Sequence, residues 1–191
     1  MYPPEPPRST FRLVLPEYGL ITAVLGYLFC YLVVGAATPV IAHELSVIVD
    51  GFDPSLVGVG AAVLLWTILI LTLIEQARVQ LRENPRHFTT RETARIFLSD
   101  QVNPSLTSRT AAGVLVAGIL VWSGYAPFID HAETLLETFV WVMEARQPPP
   151  LSAEAVLYVA LYGILYSIFA WLADRVIVGG IRQAVANRYR D

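Results

Sequence analysis

The run AVLYVALYGILYSIFAWLA, residues 155–173, contains nineteen residues and no charge. As a helix rising 1.5 Å per residue it would extend about 28 Å, close to the roughly 30 Å hydrocarbon core of a bilayer. Backbone groups in lipid must bond within their own segment, and the run lacks the alternation of a barrel strand. It therefore predicts a transmembrane helix, and three further uncharged runs of similar length occur at 19–42, 56–74 and 110–129.

Composition supports the same fold class. Of the 191 residues, 55% are hydrophobic and 15% are charged, whereas soluble domains carry roughly 25% charged residues. We predict an all-α integral membrane protein whose single four-helix transmembrane domain, residues 17–191, follows a proline-rich cytoplasmic tail, residues 1–16. The predicted spans are about 18–42, 55–76, 109–129 and 153–174.

Arginines indicate the orientation of these spans. All 13 basic residues are arginine, and counting them by connection places twelve on one side and only Arg146 on the other. Cytoplasmic loops are enriched in basic residues, so both termini and the connection 75–109 are predicted to be cytoplasmic in the cell membrane. Interspersed acids argue against nucleic acid as a partner, while contact with lipid phosphates is expected. The arginines concerned are Arg78, Arg82, Arg86, Arg91 and Arg95.

Two further helices are predicted outside the spans. Thr89 with Glu92 forms a capping-box pattern, which predicts a short cytoplasmic helix in the arginine-rich connection. Residues 131–146 predict an outer amphipathic helix along the membrane surface, because apolar and acidic side chains would occupy opposite sides. Its acidic stripe comprises Asp130, Glu133, Glu137 and Glu144. The stripe is explained either by solubility or by a ring of carboxylates at the mouth of an oligomeric pore.

Two helix faces are candidates for packing between helices. Small residues recur on the first span, and such a face lets a partner helix approach closely in lipid. We expect Gly26 to lie on this face and Leu28 to face lipid. On the fourth span, Tyr158, Tyr162 and Tyr166 recur every fourth residue, and their hydroxyls require partners, so the stripe is expected to face protein or to line a groove for a quinone or lipid tail. The small face comprises Gly19, Ala23, Gly26, Cys30 and Ala37.

Residues suited to catalysis are few. The single cysteine, Cys30, excludes an internal disulfide. The four uncharged runs lack the buried carboxylate or arginine that ion-coupled transporters usually require. His43 and His131 follow the first and third spans at the outer surface, where a metal or haem is conceivable because histidine is the commonest metal ligand. Apart from that alternative, no cofactor is expected.

Three functions are compatible with this sequence. The leading prediction is a non-enzymatic multi-pass protein, a small subunit or assembly partner of a membrane complex or a homo-oligomer. One alternative is a channel or carrier for small ions or solutes that an oligomer forms. A second is an outer-surface enzyme that depends on a metal or haem at His43 and His131. The expected partners are the lipid bilayer and either another copy of the chain or another membrane subunit.

Overall fold

The computed structural model describes residues 11–49, 51–83, 86–88, 92–93, 96–97, 104–143 and 152–188. Four helices in this part of the chain are long and apolar enough to cross a membrane. In chain order the elements are β1 Phe11–Leu13, α1 Leu20–Ile48, α2 Ser55–Glu83, β2 Arg86–Phe88, α3 Pro104–Met143 and α4 Ala153–Arg188.

Helices α3 and α4 share the most extensive contact, and α1 packs against the other three helices. Few of the described side chains are buried, and those on α3 and α4 include Ala117, Phe128 and Tyr162. Large apolar side chains cover the outside instead, and Trp122 is 86% exposed. An apolar surface of this extent is unfavourable in water and is what a bilayer would accommodate.

Helix α3 is a single helix of 40 residues that continues through Asp130. The separate outer helix predicted at 131–146 is not confirmed, because residues 131–143 prolong the third span without a break. Pro127 lies inside the helix and removes one backbone donor, but the residues that follow favour helix. The charge at Asp130 therefore marks the end of the apolar segment and not the end of the helix.

The helices on the arginine-rich side also depart from the predicted spans. Helix α4 continues to Arg188, well beyond the predicted end near residue 174. Of the short helix predicted from Thr89 and Glu92, the structure describes only 92–93 and 96–97, which are helical. The rest of that prediction lies outside the described residues.

The connection between α1 and α2 is a tight turn. Gly51 has a φ of 77°, a left-handed conformation that favours glycine. The Asp53 carboxylate accepts a hydrogen bond from the Ser55 backbone amide at 2.9 Å, which caps the start of α2. Hydrogen bonding from Ser55 also lowers the pKa of Asp53.

A small antiparallel sheet ties the N-terminal segment to the connection after α2. Strands β1 and β2 pair with Phe11 opposite Phe88. Leu13 and Leu15 are buried against Phe97 of that connection and the end of α4. Residues 11–16 belong to the segment predicted as a proline-rich tail, and within it the strand β1 places Leu13 and Leu15 on the same side of the chain.

Candidate functional site: a polar line along the fourth helix

The three tyrosines of α4 face the neighbouring helices. Tyr158 donates to the carbonyl of Gly124 at 3.4 Å, and Tyr162 donates to the carbonyl of Val121 at 3.1 Å. Tyr166 donates to the carbonyl of Leu25 on α1 at 2.8 Å. The hydroxyls therefore bind backbone oxygens of α3 at one end of the stripe and of α1 at the other.

The same four-residue spacing continues beyond the tyrosines. Positions 170, 174, 178 and 182 are all buried, and they hold Ala170, Asp174, Val178 and Arg182. Each step of four residues turns about 40° around a helix of 3.6 residues per turn, so the line winds around α4. We call Tyr158, Tyr162, Tyr166, Asp174 and Arg182 the polar line. Along the polar line, Tyr158 and Tyr162 contact α3, Tyr166 contacts α1, and Arg182 contacts the segment before α1.

Asp174 caps the start of α1 from another helix. Its carboxylate is buried, and its two oxygens accept hydrogen bonds from the amides of Gly19 at 2.8 Å and Ile21 at 3.0 Å. The first amides of a helix lack partners within the helix and carry positive partial charge, which a carboxylate stabilises. Gly19 has no side chain to do this, and its φ of 105° suits glycine.

Arg182 holds the segment before α1. Its Nε donates to the carbonyl of Pro16 at 2.9 Å, and one terminal nitrogen donates to the Glu17 carboxylate at 2.9 Å. The guanidinium lies 4.3 Å from the centre of the Tyr18 ring. The Arg182 and Glu17 side chains are only 5% and 15% exposed, so this ion pair is largely shielded from water. We call residues 16–19 together with Asp174 and Arg182 the N-terminal junction.

Helix α2 joins the N-terminal junction through two glutamines. Gln80 donates to the carbonyl of Glu17 at 3.5 Å. The side-chain oxygen of Gln76 is buried without a hydrogen-bond partner among the described residues, and its nitrogen lies 3.9 Å from the position of a Cβ on Gly19. The junction thus gathers α1, α2 and α4 around residues 16–19.

Aromatic rings surround the tyrosine half of the polar line. The Phe29 ring centre lies 4.7 Å from that of Tyr166 and 5.6 Å from that of Phe128. Phe128 stacks on Tyr162 at 4.4 Å. This cluster joins α1, α3 and α4 through their aromatic rings.

The small face predicted on α1 is not where helices approach most closely within the chain. Gly19 precedes the helix, Ala23, Cys30 and Ala37 are half-buried, and a Cβ on Gly26 would meet no described atom within 4 Å. Close approach occurs on α3, where a Cβ would lie 3.3–3.4 Å from side chains of α4. The glycines concerned are Gly113, Gly118 and Gly124.

The charged candidates are mostly at the surface. Asp130 and Glu137 are exposed and Glu133 is half-buried, while Glu144 lies outside the described residues. Arg78 and Arg82 are exposed on α2 and Arg86 belongs to β2; Arg91 and Arg95 lie outside the described residues.

The two histidine candidates have different surroundings. His43 is exposed on α1, whereas His131 is half-buried with its ring 4.8 Å from that of Tyr158. In the described part of the chain, no group of three or more His, Cys, Asp or Glu side chains is arranged to hold a metal ion.

Sequence reasoning missed Asp174, Arg182 and Glu17 as junction residues. For Asp174 and Arg182 the sequence held a signal, because the four-residue spacing of the tyrosine stripe reaches positions 174 and 182 when it is continued along the helix. The partners lie 155 and 165 residues away in the chain, so their identity could not be read from local pattern.

Comparison of the chain with protein families, with curated proteins and with solved structures finds no match.

Proposed function

We propose that this chain is a non-enzymatic, multi-pass membrane protein that acts as a structural subunit, either in a homo-oligomer or beside a different membrane protein. The observation that carries the proposal is that the buried charged side chains of α4 hold the helices together. Asp174 caps α1, and Arg182 binds Glu17 and the carbonyl of Pro16. Both side chains bind residues at the start of α1, and neither lines the two apolar grooves of the described part of the chain discussed below.

Insertion in a membrane is supported by the four apolar helices and by the exposed side chains on them. The orientation we propose follows the arginines, with both termini and the arginine-rich connection in the cytoplasm. In that orientation the N-terminal junction lies at the cytoplasmic ends of the helices, and the turn between α1 and α2 lies outside.

Assembly with another chain is supported by the open side of the bundle. The apolar windows of α1 and α2 contain no buried residue, unlike those of α3 and α4. Between α1 and α2 lies an open apolar groove of about 490 Å³, whose lining includes Ala37, Gly60 and Ala61. Helices associate in lipid through packing of small residues, because lipid provides no hydrophobic drive.

Gly26→Leu is the variant we expect to disturb this assembly. A Cβ at Gly26 would meet no described atom within 4 Å, so the larger side chain leaves packing within the chain intact. The oligomer mass of detergent-extracted protein in native mass spectrometry should fall, while the melting temperature of the monomer should not.

Two variants serve as controls for that experiment. Gly35→Leu lies about 180° around α1 from Gly26 and also has open space at its Cβ; Leu28→Gly removes bulk from a residue that is 44% exposed. Both should preserve the oligomer. Equal masses for Gly26→Leu and the wild type would show that this face of α1 is not an interface.

A further inference from the structure

A second groove runs along the outside of α4 beside α1. It has a volume of about 590 Å³, within the 300–1,000 Å³ typical of ligand sites. Phe29 of α1 forms one wall. The residues that α4 contributes follow one face of the helix, and they are Ala160, Gly163, Ile164, Ser167, Ile168 and Trp171.

This groove is shallow and open, and its lining is mostly apolar. A Cβ on Gly163 would meet no described atom within 4 Å, so the helix backbone is accessible there. The Ser167 hydroxyl is already bonded to the carbonyl of Gly163 at 2.8 Å. The floor therefore favours a hydrocarbon chain over a polar ligand.

The length of the groove corresponds to one leaflet of a bilayer. From Ala160 to Trp171 a helix rises about 16 Å, and half of a hydrocarbon core is about 15 Å. Trp171 lies at one end and is 52% exposed, a position typical of aromatic residues at the membrane interface. An acyl chain of a single lipid would thus occupy the groove along its whole length.

The cationic side chain of Arg175 lies on the same face of α4, beyond the apolar lining of the groove. Arg175 is one turn past Trp171, and its guanidinium lies 4.4 Å from the centre of the Tyr18 ring and 5.3 Å from that of Trp171. Within the described part of the chain Arg175 forms no ion pair with a carboxylate. The carboxylate of the neighbouring Asp174 binds the amides of α1. A guanidinium that is held on aromatic rings beside an interfacial tryptophan is suited to bind the phosphate of a lipid headgroup.

We propose that the groove with Arg175 is a binding site for an anionic phospholipid of the leaflet on the side of the termini. One acyl chain lies along Gly163 and Ser167, and the headgroup phosphate contacts Arg175. This inference rests on the proposed membrane location. It adds a specific ligand that bridges α4, α1 and the segment before α1 at Tyr18.

The test is native mass spectrometry of the detergent-solubilised protein with added phosphatidylglycerol or phosphatidylcholine. The wild type should retain phosphatidylglycerol preferentially. Arg175→Gln should weaken that retention about fivefold, as expected for one phosphate contact at a membrane surface. Gly163→Leu should abolish it by filling the groove.

Matched controls are Arg188→Gln, an exposed arginine in the last turn of α4, and Gly35→Leu, a glycine of α1 with open space. Both should bind phosphatidylglycerol like the wild type. Equal retention of the two lipids by the wild type, or wild-type binding by both groove variants, would overturn the lipid site. Loss of a dimer in Gly163→Leu would instead identify the groove as a helix interface.

Extraction with alkaline carbonate tests the membrane location independently of lipid binding. Wild-type protein that does not resist extraction of vesicles with alkaline carbonate would contradict the proposed function itself. Protein that resists extraction but shows no selective lipid retention would contradict the lipid site alone.

Discussion

Asp174→Ala is expected to lower the melting temperature of the detergent-solubilised protein by roughly 6–12 °C. The substitution leaves the amides of Gly19 and Ile21 without their acceptor in a buried position. Losing two charge-assisted hydrogen bonds should cost about 3 kcal/mol, and a chain of this size loses about 2–4 °C per kcal/mol. Circular dichroism during heating measures the change.

Two variants check the cause of that loss. Asp174→Asn keeps one acceptor oxygen but no charge, so its melting temperature should fall between those of the wild type and Asp174→Ala. Glu154→Ala removes an exposed acid from the same helix and should change the melting temperature little. If Asp174→Ala melts like Glu154→Ala, Asp174 does not stabilise the start of α1.

Glu17→Gln is expected to destabilise the protein by about 3–5 kcal/mol, because the buried guanidinium of Arg182 loses the negative charge of the Glu17 carboxylate. The side chains of this pair are 5% and 15% exposed, so water can replace little of the lost interaction. Denaturant titration of the single and double variants measures the effect.

The double variant Glu17→Leu/Arg182→Met tests whether the two residues are coupled. Its loss of unfolding free energy should be smaller than the sum of the losses of Glu17→Leu and Arg182→Met, since apolar pairs often replace buried ion pairs at small cost. The double substitution Glu75→Gln/Arg78→Met, at two exposed residues of α2, serves as the control. Its free energy of unfolding should change by less than about 0.5 kcal/mol. Strict additivity of the Glu17 and Arg182 effects would show that the two residues are not coupled.

Both substitutions disturb the start of α1. The start of α1 has no capping side chain of its own, and Gly19 precedes it in a left-handed conformation. Asp174 supplies the cap, and Arg182 holds the residues before it. The entry of the chain into α1 therefore depends on Asp174 and Arg182 in the second half of α4.

The number of long helices was predictable because it follows from two physical lengths. An uncharged run of about 20 residues matches a bilayer core as a helix, and four such runs became four long helices. Their ends were less predictable, because charges at Asp130 and Asp174 mark the end of the apolar segment while the helix continues. Helix propensity and contacts along α3 and α4 decide how far each helix extends.

Part of the polar line was also predictable. A tyrosine hydroxyl needs a partner away from water, so the spacing of Tyr158, Tyr162 and Tyr166 already indicated a face toward protein. Which carbonyls would accept was not predictable, because α1 and α3 are distant in the chain. The roles of Asp174 and Arg182 were not predicted, since only the folded chain brings Glu17 and Gly19 to them.

The central claim is a four-span membrane protein with both termini and the arginine-rich connection on the cytoplasmic side. Single cysteines at Ser55, Gln147, His87 and Thr90, each in a Cys30→Ala background, test it with a membrane-impermeant thiol reagent on intact cells. Ser55 is exposed at the start of α2, and His87 is exposed on β2. We predict labelling at Ser55 and Gln147, and protection of His87 and Thr90 until the cells are permeabilised. Labelling of His87 and Thr90 on intact cells, with Ser55 and Gln147 protected, would contradict the orientation.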